Sequence, residues 1–124
     1  MINNILILYV EDNRENRLLI RRVLEAEGYT VAEAENASVA LEFVVSQTPD
    51  LILMDINMPN VDGYTLTTQM KAIPKLANVP IVALTANVMK GDRERTLSVG
   101  CDGYIQKPID VDELPKQISH YLKD

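Results

Sequence analysis

Three short apolar runs, Ile5–Val10, Asp50–Met54 and Pro80–Leu84, carry Ile, Leu and Val at successive positions without alternation. A strand buried on both faces reads this way, because neither side has to meet water. Thr30–Ala34 and Asp102–Ile105 are weaker strand signals, as edge strands should be. Between the runs, apolar positions recur at helical spacing over about Asn13–Glu27, Ala37–Gln47, Tyr64–Ile73, Val88–Val99 and Val111–Lys123, which predicts five helices. The punctuation agrees: Asn36 stands where a helix N-cap is needed and Gly28 and Gly100 where left-handed C-caps form. Pro49, Pro74 and Pro80 fall between elements, where a missing amide hydrogen costs nothing.

Strict alternation of β and α units implies a parallel sheet with right-handed crossovers and helices on both faces. Five units predict an α/β fold of the flavodoxin-like (βα)5 kind, with a five-stranded parallel sheet in the order 2-1-3-4-5. Sheets of this kind collect ligands at the carboxyl ends of the strands beside the switch point, here strands 1 and 3. Glu11 and Asp12 follow strand 1 and Asp55 follows strand 3, so three acids are expected in one cleft.

Two unit charges about 4 Å apart repel by roughly 1 kcal/mol in water and several times that in a protein-like medium. Such a cluster therefore holds a proton or a cation. Ligation by a few oxygens, with room for water and a phosphate oxygen, fits Mg2+. One Cys and one His without ligand spacing do not fit Zn2+. A plainer reading has Glu11 and Asp12 cap the first helix, whose N-terminus favours acids. It leaves Asp55, across the switch point, unexplained.

Composition narrows the function. A chain of 124 residues, 47% apolar, is expected to form one domain over 1–124, with no repeat and no low-complexity tract. With 12 basic and 18 acidic residues the net charge is -6, which repels nucleic acid and anionic membranes and leaves proteins or small molecules as partners. Ile5–Val10 is too short to span a bilayer and lacks a signal-peptide flank, so no membrane insertion is expected. Cys101 has no mate for a disulfide and reads as a small buried hydrophobe; the chain is read as cytoplasmic.

Five segments now become specific: Tyr9-Val10-Glu11-Asp12-Asn13, Leu53-Met54-Asp55-Ile56-Asn57-Met58-Pro59, Asp62-Gly63, Ala83-Leu84-Thr85-Ala86 and Gln106-Lys107-Pro108. Together, in this order and at the ends of strands 1, 3, 4 and 5, they resemble the signature stretches of response-regulator receiver domains of the CheY-like superfamily. The resemblance covers residues 5 to 122. Glu11-Asp12-Asn13, Met89-Lys90-Gly91-Asp92 and Lys107-Pro108-Ile109 look most like stand-alone cell-cycle receivers and receivers of hybrid kinases.

The resemblance implies a signalling switch in a two-component or phosphorelay system, and not an enzyme acting on a separate substrate. Asp55 would accept a phosphoryl group from a phosphohistidine on a sensor histidine kinase or a histidine phosphotransfer protein. Asp12 and Asp55 would ligate Mg2+ directly, Glu11 through water, and Asn57 through its main-chain carbonyl. Lys107 would neutralise the phosphoryl oxygens, with a cis bond to Pro108 directing it. Thr85 would donate its hydroxyl to the phosphoryl group, and Tyr104 would turn inward as Thr85 moves.

The fourth helix, fifth strand and fifth helix would then form the output face for a downstream protein. Asn57 and Asn87 would tune the lifetime of the phosphorylated state. For several of these residues a plainer role also stands: Thr85 in a local backbone bond, Tyr104 as a core tyrosine with a wet tip, and Lys107 as a surface lysine. Arg14, Arg17 and Arg21 share one face of the first helix, either as a docking surface for the histidine-bearing partner or as a solvated face. His120 suits the dipole at the end of the last helix and has no catalytic role. Two alternatives have other consequences: a receiver excised from a larger kinase or regulator, and a phosphatase of the haloacid-dehalogenase type. The latter would need a second Asp where Asn57 stands and its nucleophile after the first strand.

Overall fold

The computed structural model describes residues 5–56, 58, 63–86 and 90–122, without the side chains at 90–93. Five parallel strands, β1 (Leu6–Val10), β2 (Thr30–Ala34), β3 (Leu51–Asp55), β4 (Ile81–Thr85) and β5 (Gly103–Gln106), form one sheet in the order β2-β1-β3-β4-β5. The helices between and after them are α1 (Arg14–Ala26), α2 (Ala37–Ser46), α3 (Gly63–Lys71), α4 (Lys90–Ser98) and α5 (Leu114–Leu122). This is the flavodoxin-like arrangement expected from the alternation.

Period-two alternation divides the core. Ile7, Tyr9, Leu51, Leu53, Val82, Leu84 and Ile105 face one way and pack with Ile20 and Leu24 of α1 and Leu114 and Ile118 of α5. Leu8, Val10, Ile52, Met54, Ile81 and Ala83 face the other way, against Ala40 and Val44 of α2 and Leu66 and Met70 of α3. Every residue of β3 and β4 is buried, which is why those runs do not alternate. Cys101 is buried in the second cluster, as expected of a small hydrophobe.

The helix boundaries follow local chemistry. Asn36 caps α2, accepting at 2.8 Å from the Val39 amide. Gly28 and Gly100 have φ of 94° and 110°, a backbone region where a side chain is strained. The capping of α1 departs from the plainer reading of Glu11 and Asp12, because the cap is Asn13, whose side chain accepts from the Asn16 amide at 2.9 Å.

Other boundaries move as well. Asp50 and Asp102, expected as strand residues, stand just outside β3 and β5. Each carboxylate instead takes the first amide of a neighbouring strand, Leu6 at 2.7 Å and Ile81 at 2.8 Å. The last helix starts at Leu114 rather than at Val111, because the Asp110 side chain holds the amides of Asp112 and Glu113 in a turn. A 3-10 turn at Pro74–Leu76, absent from the periodicity reading, buries Leu76 under β4.

Candidate functional site

Register brings the expected residues together. β1 and β3 run side by side with Val10 opposite Met54, so the residues after Val10 and the end of β3 meet at one edge. Ligand oxygens of Glu11, Asp12 and Asp55 all lie within 4.8 Å of one another. Glu11 and Asp55 are buried, each 2% exposed, while Asp12 faces solvent. Asp55 belongs to β3 itself, one residue further than the apolar run alone marked it.

Lys107 reaches this cluster from the far side. Thr85 pairs with Gln106, and the Lys107 amide donates to the Thr85 carbonyl at 2.8 Å, which places the lysine just past the end of β5. Its Nζ lies 2.8 Å from Asp55 Oδ1, an ion pair whose acid is 3% exposed and whose lysine is 24% exposed. The plain surface-lysine reading is therefore discarded. The Lys107–Pro108 peptide is cis. Thr85 closes β4 on the neighbouring strand, 2% exposed. Tyr104 does not join the acids; half-buried on β5 opposite Ala83, it packs against the cluster under α2 and α3.

Burial of like charges moves the protons. The Glu11 carboxyl is pushed up to about 7, first by burial, then by a hydrogen bond with Asp55 and by its charge. The Asn13 amide, 3.3 Å from Glu11 Oε2, pulls the other way. The Tyr9 hydroxyl donates to Glu11 Oε1 at 3.1 Å, and burial followed by the Glu11 charge raises that phenol above its ordinary range. Asn16 Nδ2 approaches the same oxygen at 3.5 Å. Such a cluster needs either a shared proton or a bound cation, and three clustered carboxylates are hard oxygen donors of the kind Mg2+ takes.

Not every expected residue can be placed. Asn57, Pro59, Asp62, Asn87 and Met89 lie outside the described residues. Of the three arginines, Arg17 and Arg21 are engaged within the chain: both bond to Glu33 of β2, at 3.2 and 2.7 Å. Arg14 is exposed. Sequence reasoning missed Tyr9, Asn16, Arg17 and Glu33 as neighbours of the site. Only part of the signal lay in the sequence, the spacing of Arg17 and Arg21 four apart on α1; that Tyr9 and Glu33 are cross-strand partners under that helix is set by strand register. A cleft of about 260 Å3 opens beside the acids, lined by Glu11, Asn16, Leu19, Lys107 and Pro108 among others.

Sequence comparison assigns this α/β sheet, with three acids and a lysine at its switch point, to a class of signalling domain. The profile described as response regulator receiver domain matches residues 7–119, and the chain belongs to that family. A polar-differentiation response regulator, DivK, of Brucella anthropi is 42% identical over 118 residues, covering 95% of this chain and 96% of the relative. The receiver domain of a sensor histidine kinase of Pseudomonas aeruginosa, described with a magnesium ion in its active-site cleft, is 37% identical with a TM-score of 0.87. That match covers 97% of this chain and 98% of the other. The chemotaxis response regulator CheY4 of Vibrio cholerae, at 24% identity, shares the fold with a TM-score of 0.91 over 96% of this chain and 99% of its own. The haloacid-dehalogenase alternative falls with this membership. Among the described residues no helix is long and apolar enough to cross a membrane.

Proposed function

We propose that the chain is the phosphoacceptor of a two-component or phosphorelay pathway, taking a phosphoryl group on Asp55 from a partner phosphohistidine in a Mg2+-dependent transfer. The observation that carries this reading is the buried Asp55 carboxylate held between Glu11 and Asp12 on one side and the Lys107 ammonium, at 2.8 Å, on the other. Such a carboxylate oxygen attacks phosphorus in line as the bond to the histidine nitrogen breaks. Transfers of this kind depend on placement and charge neutralisation more than on acid-base chemistry.

Glu11, Asp12 and Asp55, with the main-chain carbonyl of Asn57, are the residues that would hold Mg2+. The cation supplies positive charge to the phosphoryl oxygens when bound. Lys107 supplies a second positive group, and the Thr85 hydroxyl a donor once the phosphoryl group is in place. The cleft beside Leu19 and Pro108 leaves room for the histidine-bearing partner to approach from α1. We place the whole of 1–124 in this one receiver domain.

The output follows from energy. A phosphoryl group adds about 1.5 to 2 negative charges, and each charge-assisted hydrogen bond contributes roughly 1.5–3 kcal/mol. Moving a two-state equilibrium from 1:99 to 99:1 takes about 5.5 kcal/mol. Two or three contacts from Thr85 and Lys107, read out by Tyr104, suffice to bias α4, β5 and α5 toward a protein-binding form. Gly91, second in α4, lowers that helix's propensity by about 1 kcal/mol relative to Ala. Intact mass after incubation with a small acyl phosphate and Mg2+ tests the reading: one added phosphoryl group is expected, absent in Asp55→Asn. A wild-type chain without any Mg2+-dependent adduct refutes it.

A further inference from the structure

We propose that Arg17, anchored by Glu33, is a positioning residue for the cation site. Its guanidinium braces the two carbonyls of the loop that presents Glu11 and Asp12. Arg17 Nη1 donates to the Glu11 carbonyl at 2.8 Å and to the Asp12 carbonyl at 3.0 Å, while Nε holds Glu33 Oε1 at 3.2 Å. One planar fork thus ties the loop after β1 to α1, which carries the arginine, and to β2, which carries the glutamate. The Arg17 side chain is only 13% exposed, so it makes this brace and is not a free docking cation. Glu33 is held from its other oxygen by Arg21 at 2.7 Å.

The brace matters because the two acids it supports differ. Glu11 is buried and already held by the Tyr9 hydroxyl and the Asn13 amide. Asp12 is exposed, and its backbone carbonyl is tied to Arg17. Partners behind ligand-bearing groups set metal affinity by fixing ligand orientation. The charge of Arg17 opposes a nearby cation, but Glu33 neutralises it at 3.2 Å, which leaves placement of the loop as the larger effect.

This inference rests on Glu11, Asp12 and Asp55 being the cation site. Its test is calorimetric titration of Mg2+ into the full chain, as wild type, Arg17→Lys, Glu33→Gln and Arg21→Ala. Thermal unfolding of each is recorded in chelator. Arg17→Lys keeps the charge and loses the fork, so its Kd for Mg2+ is expected to rise about tenfold. Glu33→Gln should show a smaller rise. Arg21→Ala, which disturbs the same ion pair but touches neither carbonyl, should leave Kd unchanged. Equal Kd values across the set, with only the unfolding temperatures lowered, overturn the proposal, as does equal weakening in Arg21→Ala. Should Arg17→Lys fail to fold, Glu33→Gln carries the test by the same criterion. A wild type that takes up no Mg2+ defeats the cation-site reading and the brace with it, whereas normal uptake in wild type and Arg17→Lys alike removes the brace alone.

Discussion

At the scale of single residues, the site places Glu11 where burial and the neighbouring Asp55 oppose its ionisation. Glu11 shows the consequence most clearly. Its carboxyl ionises near 4.5 in an unfolded chain and is raised to about 7 in the folded one, so the native state holds a proton that the unfolded state has lost. That stabilisation is complete below about 4.5 and disappears as pH rises through about 7. In chelator, the thermal midpoint of the wild type should therefore fall across this window relative to Glu11→Gln. Parallel pH profiles for the two proteins would show that Glu11 does not titrate there. Asp55, Asp12 and Lys107 were legible as residues because the motifs mark them; the 2.8 Å contact between Lys107 and Asp55 was not, since 52 positions separate them.

At the scale of elements, the strand ends and helix starts do the placing. Gly63 opens α3 where an added Cβ would stand 2.8 Å from the Ile56 Cα and 3.1 Å from the Asp55 carbonyl oxygen. Backbone cannot yield as a flexible side chain does, so Gly63→Ala should cost about 1–3 kcal/mol in denaturant unfolding. Because part of the crowding falls on Asp55, the proposed phosphoacceptor, acyl-phosphate labelling should slow as well. An unchanged midpoint would mean that α3 shifts freely on β3.

Asp102 tests a different join. Its carboxylate takes the Ile81 amide at 2.8 Å and Lys71 Nζ at 3.0 Å, linking the start of β4 to the approach to β5. Asp102→Ala leaves that amide without its partner, and a loss of about 1–3 kcal/mol is expected in the same measurement. The half-exposed ion pair adds little to it. An Asp102→Asn variant that recovers most of the loss would assign the effect to the amide rather than to the charge. Periodicity read both aspartates before the strands as strand residues, because pattern alone does not distinguish the first residue of a strand from the residue that caps its neighbour.

At the scale of the whole molecule, folding and cation binding are linked. The folded chain gathers three carboxylates that the unfolded chain leaves apart, so Mg2+ held there as proposed would bind the native state preferentially. At a Mg2+ concentration about a hundred times Kd, the unfolding free energy should rise by about 2.7 kcal/mol. Asp55→Asn should reduce that gain. Unfolding indifferent to Mg2+ would contradict the cation site. A proton on Glu11 at low pH and the proposed cation at higher pH would be alternative ways of relieving the same cluster.

The sequence by itself determined the element order, the parallel sheet, the carboxyl-end location of the site and the family. All of these follow from local periodicity, from the handedness of β-α-β crossovers and from motifs written in consecutive residues. Only the tertiary structure decided what those residues do to one another. Asn13 rather than an acid caps α1, Arg17 supports the loop under Glu11 and Asp12 and does not face outward, and Tyr9 shares a hydrogen bond with Glu11. These contacts depend on register between strands and on the rotation of α1 over the sheet, which the packing of Ile20 and Leu24 sets and which no local pattern encodes.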